Sequence, residues 1–248
     1  MAYRKLLILG GTNEANQLVR QVVNLPNLKV ILSLAGCTHN YGSIPITLIK
    51  GGFGGTDGLI KYLHNEAIDF LIDATHPFSI QISSNVANAA QKLGLSRLML
   101  VRPQWENITN NWIEVDSFEI AAINLVKERS KRVFLAIGKQ QLEVFSCLPH
   151  IWFLMRVVEG VAKDTVIPMG KLLVSKGPFD MLSEKQLLID YQIDTIVSKN
   201  SGGNATYSKI LSAAKLGIKV IMIRRPQMPK GEKVTDVGGA MAWLSNKL

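Results

Sequence analysis

Cysteine is scarce in this chain. Cys37 and Cys147 are the two in 248 residues, too few and too far apart for a disulfide framework or a CxxC redox or metal site. The four histidines show no paired ligand spacing, so no metal centre is expected. No apolar run reaches the roughly 18 residues that cross a bilayer. The apolar start, Leu6-Leu7-Ile8-Leu9, turns into Gly10-Gly11-Thr12 before any cleavage-site pattern. A reduced, cytoplasmic setting is expected, with no export and no membrane. Also missing are a Tyr-x-x-x-Lys pair, an HExxH zinc helix and a GxSxG nucleophile elbow.

Acidic residues are in short supply: 19 Asp and Glu stand against 28 Lys and Arg, a net charge of +9. Nucleic acid binding would need those bases gathered into a stripe interleaved with aromatics, and here they are scattered. An anionic small molecule or nucleotide is the partner class that remains, beside a plain solubility charge with no partner. Apolar residues at 47% and charged residues at 19% are ordinary for a folded chain. The length allows two small domains or one large one.

Short Val/Ile/Leu-rich runs alternate with stretches of helical period, the signature of parallel βαβ units. Strands are predicted at residues 5–9, 30–34, 70–73, 98–101, 133–136, 172–175, 195–198 and 220–223. Several are apolar throughout, as a strand buried on both faces requires. The chain also echoes itself. Ala89-Ala90-Gln91-Lys92-Leu93-Gly94 followed by Arg102-Pro103-Gln104 matches Ala213-Ala214-Lys215-Leu216-Gly217 followed by Arg225-Pro226-Gln227. The order and spacing predict two α/β domains of similar build, 1–125 and 126–248, joined between Asp116 and Lys131. In both copies the glycine fits a helix C-cap.

The first strand runs into Gly10-Gly11-Thr12-Asn13-Glu14-Ala15. A glycine turn between first strand and first helix lets backbone amides approach a phosphate at the helix N-terminus. Thr12 stands where GxGxxG has its second glycine, so a tight turn without a ligand stays open as an alternative. The second strand ends in Ser33-Leu34-Ala35-Gly36-Cys37-Thr38 and lacks the Asp or Glu that holds an NAD ribose. A bound dinucleotide is therefore expected to be NADP. Gly51-Gly52-Phe53-Gly54-Gly55 is too rich in glycine for a strand or helix interior, and something bulky is expected close to it. Asp73-Ala74-Thr75-His76-Pro77 lies after a buried strand, where open α/β sheets bind ligands. Lys176-Gly177-Pro178-Phe179 and Lys199-Asn200-Ser201-Gly202-Gly203 hold matching places in the second half and offer ammonium groups and free amides to an anion.

Taken in order, Gly10-Gly11-Thr12-x-Glu14-Ala15, Ser33-Leu34-Ala35-Gly36, the 51–55 glycine loop, Asp73-Ala74-Thr75-His76-Pro77-Phe78, Arg102-Pro103-x-Trp105, Gly177-Pro178-Phe179 and Lys199-x-Ser201-Gly202-Gly203 with Arg225-Pro226 resemble precorrin-6A reductases. The resemblance covers nearly the whole chain. It implies two Rossmann-like three-layer domains with mainly parallel sheets and a cleft between them. It also implies NADPH-dependent reduction of the precorrin-6A or cobalt-precorrin-6A macrocycle to its dihydro product in cobalamin biosynthesis. NADPH is then expected to meet Gly10, Gly11, Thr12, Ser33, Gly36, Thr38, Thr75 and His76. The polycarboxylate tetrapyrrole is expected at Gly52, Phe53, Gly54, Lys176, Gly177, Lys199, Ser201, Gly202 and Gly203. His76 is the candidate proton donor, with solvent as the other source, and a monomer or weak homodimer is expected. Two other readings stay open: a non-catalytic NADP-binding sensor, and a reductase of another acidic metabolite.

Overall fold

The computed structural model describes residues 3–34, 44–108 and 110–248. Gly36, Cys37 and Thr38 lie outside them. The chain begins β1 (Arg4–Leu9), α1 (Asn13–Val22), β2 (Leu28–Leu34), β3 (Thr47–Lys50), α2 (Gly55–Asn65), β4 (Phe70–Asp73), α3 (Ile80–Leu93) and β5 (Ser96–Leu100). It continues with β6 (Trp112–Val115), α4 (Phe118–Lys127), β7 (Arg132–Ala136), β8 (Trp152–Val157), β9 (Gly170–Val174) and α5 (Met181–Asp190). Then follow β10 (Thr195–Lys199), α6 (Ser208–Leu216), β11 (Lys219–Ile223), β12 (Glu232–Val234) and α7 (Val237–Ser245).

Two six-stranded sheets result, with orders β3-β2-β1-β4-β5-β12 and β9-β8-β7-β10-β11-β6. Every pairing is parallel. Both orders are the doubly wound arrangement of dinucleotide-binding folds, which reverses between the first and fourth strands.

The sixth strand of each sheet comes from the other half of the chain. After β5 the chain leaves its sheet, and β6 pairs with β11 from Val220↔Trp112 to Ile223↔Val115. After β11 it returns, and β12 pairs with β5 from Glu232↔Leu98 to Val234↔Leu100. The compact units are accordingly Met1–Pro103 with Pro226–Leu248, and Gln104–Arg225. This differs from the expected division at 125/126, because the backbone groups of β6 find their partners on β11 and the expected join falls inside the second unit. The two crossings fall at the echoed Arg-Pro pairs, Arg102-Pro103 and Arg225-Pro226.

In the first unit, alternation along the strands fills two cores. Leu6, Ile8, Val30 and Leu32 pack with Ala15, Leu18 and Val22 of α1 and with Ala240, Trp243 and Leu244 of α7. Leu7, Leu9 and Ile31 face the other way, onto Leu59 and Leu63 of α2 and Val86 of α3. Burial of apolar side chains on both faces explains the continuous apolar runs of β1 and β2. The echoed helices α3 and α6 both end on left-handed glycines, Gly94 (φ 64°) and Gly217 (φ 68°), where L side chains are strained. Among the described residues, no helix is long and apolar enough to cross a membrane.

Candidate functional site

The carboxyl ends of β1 and β4 meet at the strand-order reversal of the first unit. Gly10 donates its N–H to the Ser33 carbonyl (2.9 Å). A β-carbon there would come within 2.8 Å of Leu32 Cδ1 and 3.2 Å of Leu34 Cδ2, so this glycine lets the turn sit against the strands. Gly11 is different. Its φ is +115° and, among the described residues, nothing lies within 4 Å of the place a β-carbon would take, so the turn opens outward there. Thr12 caps α1 by accepting the Ala15 N–H (3.1 Å), and its hydroxyl donates to the Ala74 carbonyl (2.8 Å). Both functions of that hydroxyl are spent on tying the helix start to the exit of β4. Glu14, in the first turn of α1, pairs with Arg102 at 2.7 Å.

Asp73 is buried, and its Oδ1 accepts both the N–H (3.1 Å) and the hydroxyl (2.7 Å) of Thr75. Its Oδ2 is buried without a partner among the described residues. Thr75 is thus a brace of this turn. His76 accepts the Phe78 N–H at Nδ1 (3.2 Å), which places the proton of a neutral ring on Nε2. Arg97 on β5 was not foreseen as part of this region. Burial holds its guanidinium below the ordinary value, with Asp73 opposing that shift, and one of its terminal nitrogens donates to the Lys230 carbonyl (2.5 Å).

Beside these strand ends lies a pocket of about 110 Å³. Ser33 and the 51–55 loop line it together with Asn85 of α3. Phe53 of that loop is half-buried against the α2/α3 core and packs on Tyr62 at 4.9 Å between ring centroids. The structure therefore joins Ser33, expected at the cofactor, to the glycine loop, expected at the substrate.

In the second unit the two basic loops come together. Asn200, buried, accepts the Trp105 N–H (2.8 Å) and donates to the Trp105 carbonyl (3.0 Å). Trp105 Nε1 donates to the Gly203 carbonyl (2.8 Å). From the other side Arg225 donates to the carbonyls of Asn200 (2.8 Å) and Ser201 (3.0 Å). Gly202 and Gly203, at φ 65° and 72°, complete a turn that L side chains would strain. The Lys176–Phe179 segment lies against this loop: Phe179 donates its N–H to the Ala205 carbonyl (3.2 Å), and the Ser208 hydroxyl donates to the Phe179 carbonyl (2.8 Å). Lys199, at the end of β10, stands 5.4 Å from the Phe118 ring centroid. Burial lowers the pKa of its ammonium. Trp105, Asn200 and Arg225 hold the loop rather than offer it charge. The repeated Arg-Pro-Gln marked Arg225 in the sequence, and the Arg102-Pro103-x-Trp105 motif marked Trp105. Among the described residues, no cluster of His, Cys, Asp or Glu is arranged to hold a metal.

Comparison with known proteins adds a family to this geometry. The family model of the precorrin-6x reductases CbiJ/CobK matches residues 5–245. A precorrin-6A reductase of Sinorhizobium sp is 43% identical over 89% of this chain and 85% of its own. One from Rhodococcus erythropolis is 39% identical over 97% of both chains. A solved structure, CobK precorrin-6A reductase, superposes with a TM-score of 0.89 at 34% identity, covering 98% of this chain and 96% of that one.

Proposed function

The chain belongs to the precorrin-6x reductase family, and from that premise we propose that it reduces precorrin-6A to its dihydro product with NADPH as the hydride donor, in the cytoplasm. The metal-free macrocycle is the favoured substrate because the relatives at 43% and 39% identity carry that name. The observation that carries the cofactor reading is the turn after β1, which opens at Gly11 at the reversal point of a doubly wound sheet. Ser33, with no carboxylate at the end of β2, suits a ribose bearing a 2′-phosphate. Comparing turnover with NADPH and NADH tests this. The preference expected is about tenfold or more, the worth of one charge-assisted hydrogen bond of about 1.5 kcal/mol or above. Equal kcat/KM with the two would contradict it.

When bound, NADPH supplies the hydride. The chain's own work is to hold and orient. Gly11 and the amides of the α1 N-terminus hold the pyrophosphate, while Gly10 seats the turn against β2 and Thr12 and Thr75 fix the loops that carry them. The proton is assigned to His76, which carries one on Nε2 in its neutral form. His76→Ala is expected to lower kcat at saturating NADPH by about 100-fold, the low end of general acid catalysis. Unchanged turnover would leave the proton to solvent.

Lys176, Lys199, Ser201 and the amides of Gly177, Gly202 and Gly203 grip carboxylates of the tetrapyrrole. Burial of Lys199 penalises its charged form in the folded state. That cost is complete below the depressed pKa and fades as pH rises toward the ordinary lysine value. Lys199→Met is thus expected to raise Tm at neutral pH while raising KM for precorrin-6A about tenfold. The gain in Tm should shrink in alkali. A lower Tm with unchanged KM would show that Lys199 serves the fold alone.

A further inference from the structure

We propose that Arg102-Pro103-Gln104-Trp105 is a strap tying the cofactor turn to the 199–203 loop, with Glu14 and Arg102 as positioning residues for hydride transfer. The inference rests on the readings above, in which the first unit holds NADPH and the second grips the tetrapyrrole.

Glu14 stands in the first turn of α1, directly after the Thr12 cap and Asn13. A helix N-terminus favours an acidic side chain, yet beside a diphosphate the same charge is repelled, so a carboxylate here needs a further task. Its partner identifies one. Arg102 donates to Glu14 Oε2 at 2.7 Å, and the two side chains are only 14% and 21% exposed. A pair so enclosed holds a geometry that a fully exposed pair does not. Arg102 also cancels the charge, which keeps the turn fit for an anion.

Three residues further on, the chain is fixed again. Trp105 is buried, and its backbone N–H and carbonyl are both taken by the Asn200 carboxamide (2.8 and 3.0 Å). Its indole N–H goes to the Gly203 carbonyl (2.8 Å). The ring stacks on Tyr207 at 5.6 Å between centroids and lies 4.6 Å from the Lys209 ammonium. Pro103, with its fixed φ, stiffens the span between the two anchors.

The second crossing is built differently. Arg225 binds the same loop through the carbonyls of Asn200 (2.8 Å) and Ser201 (3.0 Å), but the chain beyond it runs on to β12. The first crossing has an end on each ligand loop. Hydride transfer needs donor and acceptor in near-attack placement, where a shift of about 1 Å costs roughly 100-fold. The anchors of the strap therefore bear on the rate of transfer more than on either affinity.

Anaerobic single-turnover oxidation of NADPH by the full chain, with NADPH and precorrin-6A both saturating, reads the strap apart from binding. Arg102→Met leaves the Glu14 carboxylate bare beside the pyrophosphate and should raise Kd for NADPH about tenfold. Adding Glu14→Gln removes that charge. The double variant should bind NADPH as the wild type does, with an unchanged KM for precorrin-6A, and still transfer hydride at least about tenfold more slowly. Trp105→Phe loosens the other end: it keeps a ring against Tyr207 and loses the N–H bonded to Gly203. Transfer about fivefold slower, at wild-type Kd for NADPH, is expected there. A wild-type transfer rate in the double variant or in Trp105→Phe overturns the proposal. So does a double variant whose loss lies in Kd for NADPH, which would make Glu14 and Arg102 part of the cofactor's own site. A wild type that binds no NADPH would instead overturn the NADPH reading, and the strap with it.

Discussion

Replacing Glu184 by leucine is expected to lower the unfolding free energy of the second unit by about 3–5 kcal/mol, the usual cost of leaving one buried charge without its partner. Glu184, in the first turn of α5, accepts both terminal nitrogens of Arg156 from β8, at 2.9 and 2.7 Å. The two side chains are 2% and 11% exposed. The guanidinium is sandwiched between Phe134 (4.8 Å) and Phe179 (4.0 Å), so the pair also supports the Lys176–Phe179 segment. Stability of a domain is commonly about 5–15 kcal/mol, which makes this single loss large. The double variant Arg156→Met with Glu184→Leu should recover most of it, because no charge is then stranded in the core. Urea denaturation of the single and double variants reads both effects. A loss below about 1 kcal/mol for Glu184→Leu would mean that solvent reaches the arginine.

Gly11→Val is expected to raise Kd for NADPH about 100-fold, equivalent to losing roughly two amide–phosphate hydrogen bonds of about 1.5 kcal/mol each. It should also cost about 1–3 kcal/mol of stability, because a β-branched residue at φ +115° is strained. Gly10→Ala is the control. Its methyl group would crowd Leu32 and Leu34 inside the protein, so it is expected to lower stability and leave NADPH affinity much less changed. Fluorescence titration of NADPH beside thermal melts separates the two. If Gly11→Val binds NADPH as the wild type does, the turn after β1 is a plain connection.

Most of the layered fold was legible in the sequence, since strands buried on both faces must be apolar throughout, and all eight predicted strands lie on observed ones within two residues at either end. The omissions have physical causes. β12 is Glu-Lys-Val, with no apolar run to betray it, and β3 lies at a sheet edge with most of its residues exposed. β8 is interrupted by Arg156, whose partner stands 28 residues further along the chain. The exchange of sixth strands left no local trace either. Two sheets of like build present similar edges at β5 and β11, and which edge β6 joins is decided by packing across more than a hundred residues.

The site was readable in part. The glycine turn before α1 and the two basic loops stood in the motifs. That Thr12 and Thr75 would be spent on bracing the loops was not, because it depends on the Ala74 carbonyl and Asp73 meeting them in space. Asn85 had no signal at all. It sits mid-helix, and only the fold brings it beside the glycine loop.

The proposed reaction passes a hydride from NADPH to the precorrin-6A macrocycle. Anaerobic incubation of the full chain with precorrin-6A and NADPH carrying two deuterons at the nicotinamide C4, followed by mass spectrometry of the tetrapyrrole, tests it most directly. A product bearing a single deuterium from the cofactor is the predicted result. A tetrapyrrole without deuterium, from both the metal-free and the cobalt-bearing substrate, would contradict it.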